Sequence, residues 1–190
     1  MDGTMQAEMQ AANNGAPLPN GFPDDAARLA TLMRNDSRVQ LAFMALGGWD
    51  THANQGAAKG QLANRLSPLG QGLAALATRL GPVLDDTVVV VMSEFGRTVR
   101  ENGNGGTDHG HGNVMWLLGG PVAGGKMHGS WPGLASGALY EGRDLAVTTD
   151  FRQVLSEVVQ RHLSLPDGRV QNIFPGYVSA KVSGIGVIRT

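Results

Sequence analysis

The sequence predicts an α/β fold with a mostly parallel sheet flanked by helices, and three observations carry that expectation. Residues 39–46 (VQLAFMAL) and 87–92 (TVVVVM) are apolar runs of strand length, the second β-branched almost throughout. Such runs suit parallel strands covered on both faces. Between them, leucines at 62, 66, 69, 73, 76 and 80 recur at four- and three-residue steps, the period of an amphipathic helix. Strand, helix, strand makes a βαβ unit, whose crossover is right-handed. The third observation is that polar, chemistry-bearing residues follow both strands directly, where ligands gather in a parallel α/β sheet.

The elements follow in order. Residues 1–20 are polar, small and rich in Ala, Asn and Gln. They lack a positive segment followed by an apolar core, so they do not read as a signal peptide, and 1–22 is expected to be flexible. Pro23-Asp24-Asp25 opens a short helical pattern with Leu29, Leu32 and Met33 on one face. Gly47-Gly48 ends the first strand. Pro68 interrupts the helical pattern of 57–80. With Ser67 as N-cap and Pro68 at the first helical position, this stretch becomes two helices in line; a single kinked helix is the alternative. Residues 114–118 (VMWLL) are a third apolar run, helix or strand, and 119–142 a loop or hairpin. Asp150 and Gln153 have capping-box spacing and start a helix to about Leu163, with Phe151, Val154, Leu155, Val158 and Val159 on its buried face. The folded domain is thus expected over 23–165, with 166–190 as a tail.

Composition bounds the function. Fifteen Lys+Arg against sixteen Asp+Glu argue against nucleic acid or an anionic membrane as the main partner. No apolar run approaches the ~20 residues that span a bilayer. The absence of cysteine excludes disulfides, thiolate metal sites and a cysteine nucleophile. Glycine is the outlier at 28 residues. Twelve of these lie from Gly96 to Gly133, the stretch that also holds three of the five histidines.

Asp50 and His52 leave the first strand, Glu94 and Arg97 leave the second, and Asp108, His109 and His111 lie in the glycine-rich loop beyond. Carboxylates and imidazoles without thiols are ligands for Zn²⁺, Mn²⁺ or a similar divalent ion. A loop that aims three such groups at one centre needs glycine to bend sharply. Each group also has a plainer reading. Asp50 would cap a helix, His52 would sit exposed, and Glu94 with Arg97 would be an ion pair fixing a turn. His128 and His162 read as structural, and Asp150 as a cap. Residues 120–126 imitate a phosphate-binding loop, but Met127 stands where a metal-binding hydroxyl is required.

Gly48-Trp49-Asp50-Thr51-His52-Ala53-Asn54-Gln55, Ser93-Glu94-Phe95-Gly96-Arg97-Thr98 and Gly106-Thr107-Asp108-His109, in that order, resemble domain-of-unknown-function family 1501 of the alkaline phosphatase/sulfatase superfamily. The resemblance spans roughly residues 20–165. It implies an alkaline-phosphatase-like α/β sandwich with a two-metal hydrolytic site. Asp50 and His52 would then serve one ion and Asp108-His109 the other, with His111, or less readily His128, completing the first site. Arg97 would hold an anionic substrate, and Glu94 would orient a ligand or a water. Family members are about twice this length and usually exported, so the chain reads as a C-terminal portion, with the superfamily nucleophile on the half that is absent.

The expected function is a metal-dependent hydrolase of ester bonds, phosphate or sulfate esters first. The expected ligands are Asp50, His52, Asp108, His109 and His111, and the expected ion is Zn²⁺ or Mn²⁺ ahead of Ca²⁺ or Mg²⁺. One alternative is a carboxyl-ester or lactone hydrolase using metal-activated water. Another is a non-catalytic, metal-stabilised binding domain, for which Trp49, Trp116 and Trp131 would suit a sugar surface. Small anionic esters are the expected partners, along with a second chain covering an exposed sheet edge.

Overall fold

The structure is a computed structural model that describes residues 21–177 and 184–189. The expected flexible segment 1–22 lies outside the described residues except for its last two positions. The chain forms two compact units: Met1–Val83 with Arg100–Asp108, and Leu84–Val99 with His109–Thr190.

The first unit is built on two helices. Helix α1 (Phe22–Asn35) starts with proline in its first turn and carries Asp24 and Asp25 there, with Arg34 in its last turn. Both charges complement the helix dipole. Its buried stripe is Phe22, Ala26 and Ala30. Leu32, expected on the apolar face, is 53% exposed. Helix α2 (Gln61–Leu80) is one helix with Pro68 inside it, not two in line. Arg65, Leu69, Gly72, Leu76 and Leu80 form its buried face. The helices meet where Phe22 lies against Gly72, and the Arg34 guanidinium donates to the carbonyl of Arg79 at 3.1 Å.

Residues 39–46 form no strand, and Leu41 and Phe43 are 77% and 91% exposed. A strand needs a neighbour to take up its N–H and C=O groups, and no strand of the first unit lies beside it among the described residues.

The second unit holds four short strands: β1 (Val89–Val91), β2 (Gly96–Arg97), β3 (His109–Gly110) and β4 (Trp116–Leu118). β1 pairs antiparallel with β4 in the register Val89–Leu118, Val90–Leu117 and Val91–Trp116. β2 pairs antiparallel with β3, Gly96 opposite Gly110 and Arg97 opposite His109. The fold is therefore mixed helix with two small antiparallel ladders. The expected mostly parallel, alkaline-phosphatase-like sheet is absent from the described residues, and so is the βαβ unit. An apolar, β-branched run shows that a strand is covered, not which way its neighbour runs. Here the partner of 87–92 is the nearby run 114–118, returning in the opposite sense.

Helix α3 (Phe151–Arg161) is capped by Asp150, whose side chain accepts from the N–H of Arg152 at 2.9 Å and pairs with the Arg152 guanidinium. Val154 and Val158 pack on Val187 and Ile188 with Val88, Met115, Leu117 and Ile185 around them. Phe151, expected in that face, is 48% exposed, while Ser156 and Glu157 are buried. The Glu157 carboxylate accepts from the N–H groups of Gly186 and Ile188 at 2.9 and 3.1 Å, tying the last described segment to the helix. Helix α4 (Asp167–Ile173) follows within the expected tail. No helix of the described residues is long and apolar enough to cross a membrane.

Two glycines in α2 separate packing from helix propensity. A Cβ at Gly70 meets nothing, whereas one at Gly72 would lie 2.4 Å from the Phe22 ring. Gly70→Ala should raise the unfolding free energy by about 1 kcal/mol, and Gly72→Ala should lower it despite the same gain in propensity; urea unfolding of both checks this. The hydrogen bonds from Arg152 hold the Asp150 carboxyl below its ordinary value, burial opposing them. Its contribution is therefore present above the ordinary carboxylate range and fades as pH falls through the lowered folded value. Asp150→Ala should cost about 1 kcal/mol at neutral pH and show a shallower loss of stability below about pH 4, read by thermal unfolding across pH.

Candidate metal centre

In the first unit, the loop after residues 39–46 meets the segment 100–108. Ala53 bridges Gly105, and N–H groups of Asn54, Gln55 and Thr107 donate to the carbonyls of Asn104, Gly105 and Thr51. Gly106 is essential to this contact, since a Cβ there would lie 2.2 Å from the His52 carbonyl carbon. The hydroxyls of buried Thr51 and Thr107 both donate to the side-chain carbonyl of Gln55, at 2.8 and 2.7 Å. Asn102 donates to the His52 carbonyl and to Asp108 Oδ1, both at 3.0 Å, and its own carbonyl accepts from Asn104 and Gly106 N–H. Behind the loop, Gly48 has φ +85°, and a Cβ there would lie 2.5 Å from Arg65 Nε. Burial lowers the pKa of that guanidinium.

These contacts bring three expected ligands together. His52 Nε2 lies 2.9 Å from Asp50 Oδ1, and His52 Nδ1 lies 3.0 Å from Asp108 Oδ1. Side-chain exposures of 31% for Asp50, 47% for His52 and 54% for Asp108 leave the group open to solvent. A neutral imidazole has one N–H. Both ring nitrogens face carboxylate oxygens, so a single N–H cannot serve the two contacts.

The second unit carries the other candidates. Arg97 and His109 are directly opposite in the β2–β3 ladder, which puts their side chains on one face. The Phe95 ring stacks on His109 with centroids 4.4 Å apart and planes 3° from parallel, and the Arg97 guanidinium lies 5.5 Å from the same ring. Asn113 donates to the Phe95 carbonyl at 2.6 Å. Glu94 is exposed.

His111 sits on a partner the sequence did not reveal. Asp144 is fully buried. Its Oδ2 accepts from the His111 backbone N–H and lies 3.0 Å from His111 Nδ1, while Arg143 Nε donates to Oδ1 at 3.2 Å. Burial works against the charge of Asp144, but these hydrogen bonds prevail and hold its carboxyl below the ordinary value. The Tyr140 ring covers the imidazole with centroids 3.9 Å apart. Glycines make the approach possible. A Cβ at Gly110 would lie 2.8 Å from the Asp144 Cβ, and one at Gly112 would lie 2.5 Å from the Leu145 carbonyl oxygen. His128, by contrast, faces carbonyls with both nitrogens, Ile185 at 3.1 Å and Ala123 at 3.3 Å, and is a structural residue.

Thr51, Gln55, Asn102 and Asp144 were not singled out by sequence reasoning. Only Asn102 had a local signal, the Asn-Gly-Asn-Gly-Gly turn sequence in which it stands. A family model described as "Protein of unknown function (DUF1501)" matches residues 2–174. The chain belongs to the DUF1501 family. No curated protein and no solved structure matches it.

The loop contact at Gly106 makes a direct prediction. Gly106→Ala should separate the two loop segments and displace His52 from Asp108. This would appear as a changed His52 imidazole resonance in NMR spectra with the helical circular dichroism unchanged.

Proposed function

We propose that this DUF1501 protein is a metal-dependent hydrolase of ester bonds, with Asp50, His52, Asp108, His109 and His111 as the ligand set. The observation that carries the reading is His52 held between the partly exposed carboxylates of Asp50 and Asp108, three groups of metal-ligand type gathered in a solvent-open place. Asp50 and His52 offer their ligand atoms at a spacing a single ion can accept. Carboxylate oxygen with imidazole nitrogen fits Zn²⁺ or Mn²⁺ by donor type, with Ca²⁺ and Mg²⁺ served less well by nitrogen.

Bound there, a divalent ion supplies Lewis acidity and brings the pKa of water toward ~7. The chain's own residues do the rest. Asn102 holds the Asp108 carboxylate in place through Oδ1. Arg97, always cationic, is placed opposite His109 and is suited to an anionic phosphate or sulfate group. Kinship with the alkaline phosphatase/sulfatase superfamily rests on the order of the three motifs alone. The antiparallel ladders of the second unit lend it no support.

The test is elemental analysis and turnover of the purified chain, compared with Asp108→Ala and His52→Ala, on an aryl phosphate, an aryl sulfate, a carboxyl ester and a lactone. Loss of outer-sphere partners alone costs metal sites 10–100-fold in affinity. Removal of a ligand should therefore lower affinity by at least about 100-fold and reduce hydrolysis to background. Unchanged metal content and unchanged hydrolysis in both variants would refute the reading. Preference for the lactone over the phosphate would place the chemistry at carbon.

A further inference from the structure

We propose that Asp144 is a positioning residue: it fixes the His111 ring with its proton on Nδ1 and so presents Nε2 outward as the donor atom to a divalent cation. The assignment of the cation rests on the metal-centre reading above; the fixing of the ring does not.

Four observations converge on it. First, Nδ1 lies 3.0 Å from Asp144 Oδ2, and the same oxygen takes the His111 backbone N–H. One carboxylate oxygen thus grips both the backbone and the ring of a single residue, which sets the side-chain rotamer as well as the tautomer. Second, Asp144 is fully buried and both of its oxygens are taken up, Oδ2 by the His111 backbone N–H and Oδ1 by Arg143 Nε, so the ring meets an acceptor fixed in place. Third, Nε2 is directed away from this grip. Among the described residues Nε2 has no hydrogen-bond partner, and the side chain is 48% exposed. Fourth, the Tyr140 ring packs on the imidazole with centroids 3.9 Å apart and helps to hold its plane. The turn that supplies both Tyr140 and Asp144 closes on itself through the Tyr140 N–H to Asp144 carbonyl bond at 2.8 Å. It requires positive φ at Glu141 and Gly142, +50° and +65°.

The physical need for such a device is specific. A free neutral imidazole exchanges its proton between the two nitrogens, and only a nitrogen without the proton can take a metal. Metal-ligating histidines are commonly fixed by a carboxylate on the other ring nitrogen, which also raises ligand basicity. A structural histidine shows the opposite pattern in the same unit, with both nitrogens of His128 facing carbonyls. The absence of Cβ atoms at Gly110 and Gly112 also gains a purpose, because any side chain there would push the 144–145 segment away from His111.

Long-range ¹H–¹⁵N NMR of the metal-free chain at about pH 8, above the ordinary imidazole value of ~6.5, reads the tautomer directly. The expected result is Nδ1–H for His111 in the parent and in Asp144→Asn, whose side-chain carbonyl still accepts. Asp144→Ala should shift toward Nε2–H. A parent His111 protonated on Nε2 overturns the proposal without any variant having to fold. Zn²⁺ is then added. The expected result is a shift of His111 Nε2, with affinity reduced about 10–100-fold in Asp144→Ala and less in Asp144→Asn. If His52 responds and His111 does not, the donor role of His111 is overturned and the metal centre stands. If neither histidine responds, the metal-centre reading fails and the donor role with it, while the metal-free spectrum still decides whether Asp144 fixes the ring.

Discussion

Backbone meeting backbone at glycine is the constraint on which both units depend. At Gly106 a single added carbon would run into the peptide of His52, and at Gly96 into the carbonyl of Gly112. Neither neighbour is a side-chain tip that can swing away. The loop of the first unit therefore closes only with glycine at 106, and the β2–β3 ladder only with glycine at 96. Glycine costs roughly 0.5–1 kcal/mol of conformational freedom relative to alanine wherever it stands in regular structure. A chain with 28 of them accepts that cost in many places, and the close contacts around the candidate residues are what it obtains.

The same pair of chemical groups, carboxylate and imidazole, is used in two environments. Around His52 both carboxylates are partly in water, and the geometry is three groups in a row. Around His111 the carboxylate is wholly buried, and its hydrogen bonds come from fixed neighbours. An ionised group out of water is tolerated only when its lone pairs are taken up, and Asp144 meets that condition with three donors. The first arrangement lies open to solvent; the second is closed around its carboxylate.

Local periodicity explains what the sequence could reveal. Both helices of the first unit and α3 were legible because the 3.6-residue period and the Asp150 cap depend only on neighbours along the chain. The strand at 87–92 was legible as well, but the sense of its pairing was not, since apolar side chains report cover and say nothing of direction. Residues 39–46 had every local mark of a strand and lacked only a partner, which no single segment can reveal. For the site, Asp50, His52 and Asp108 were found through residue type and position, and the structure brings them together. Asp144 was hidden because it stands 33 residues from His111 in a stretch with no pattern of its own. The main use of the glycines here is to permit close backbone approach.

Residues 39–46 contain no charge, proline or glycine, and their two largest exposed side chains, Leu41 and Phe43, face water. Burial of each would contribute about 1.5–3 kcal/mol, so the folded chain leaves a sizeable driving force unrealised in a single stretch. Uncharged β-prone segments with unpaired edges are the usual seeds of intermolecular stacking. Association through such a stretch would be hydrophobic, so salts that strengthen apolar burial would favour it where they would screen a charged contact.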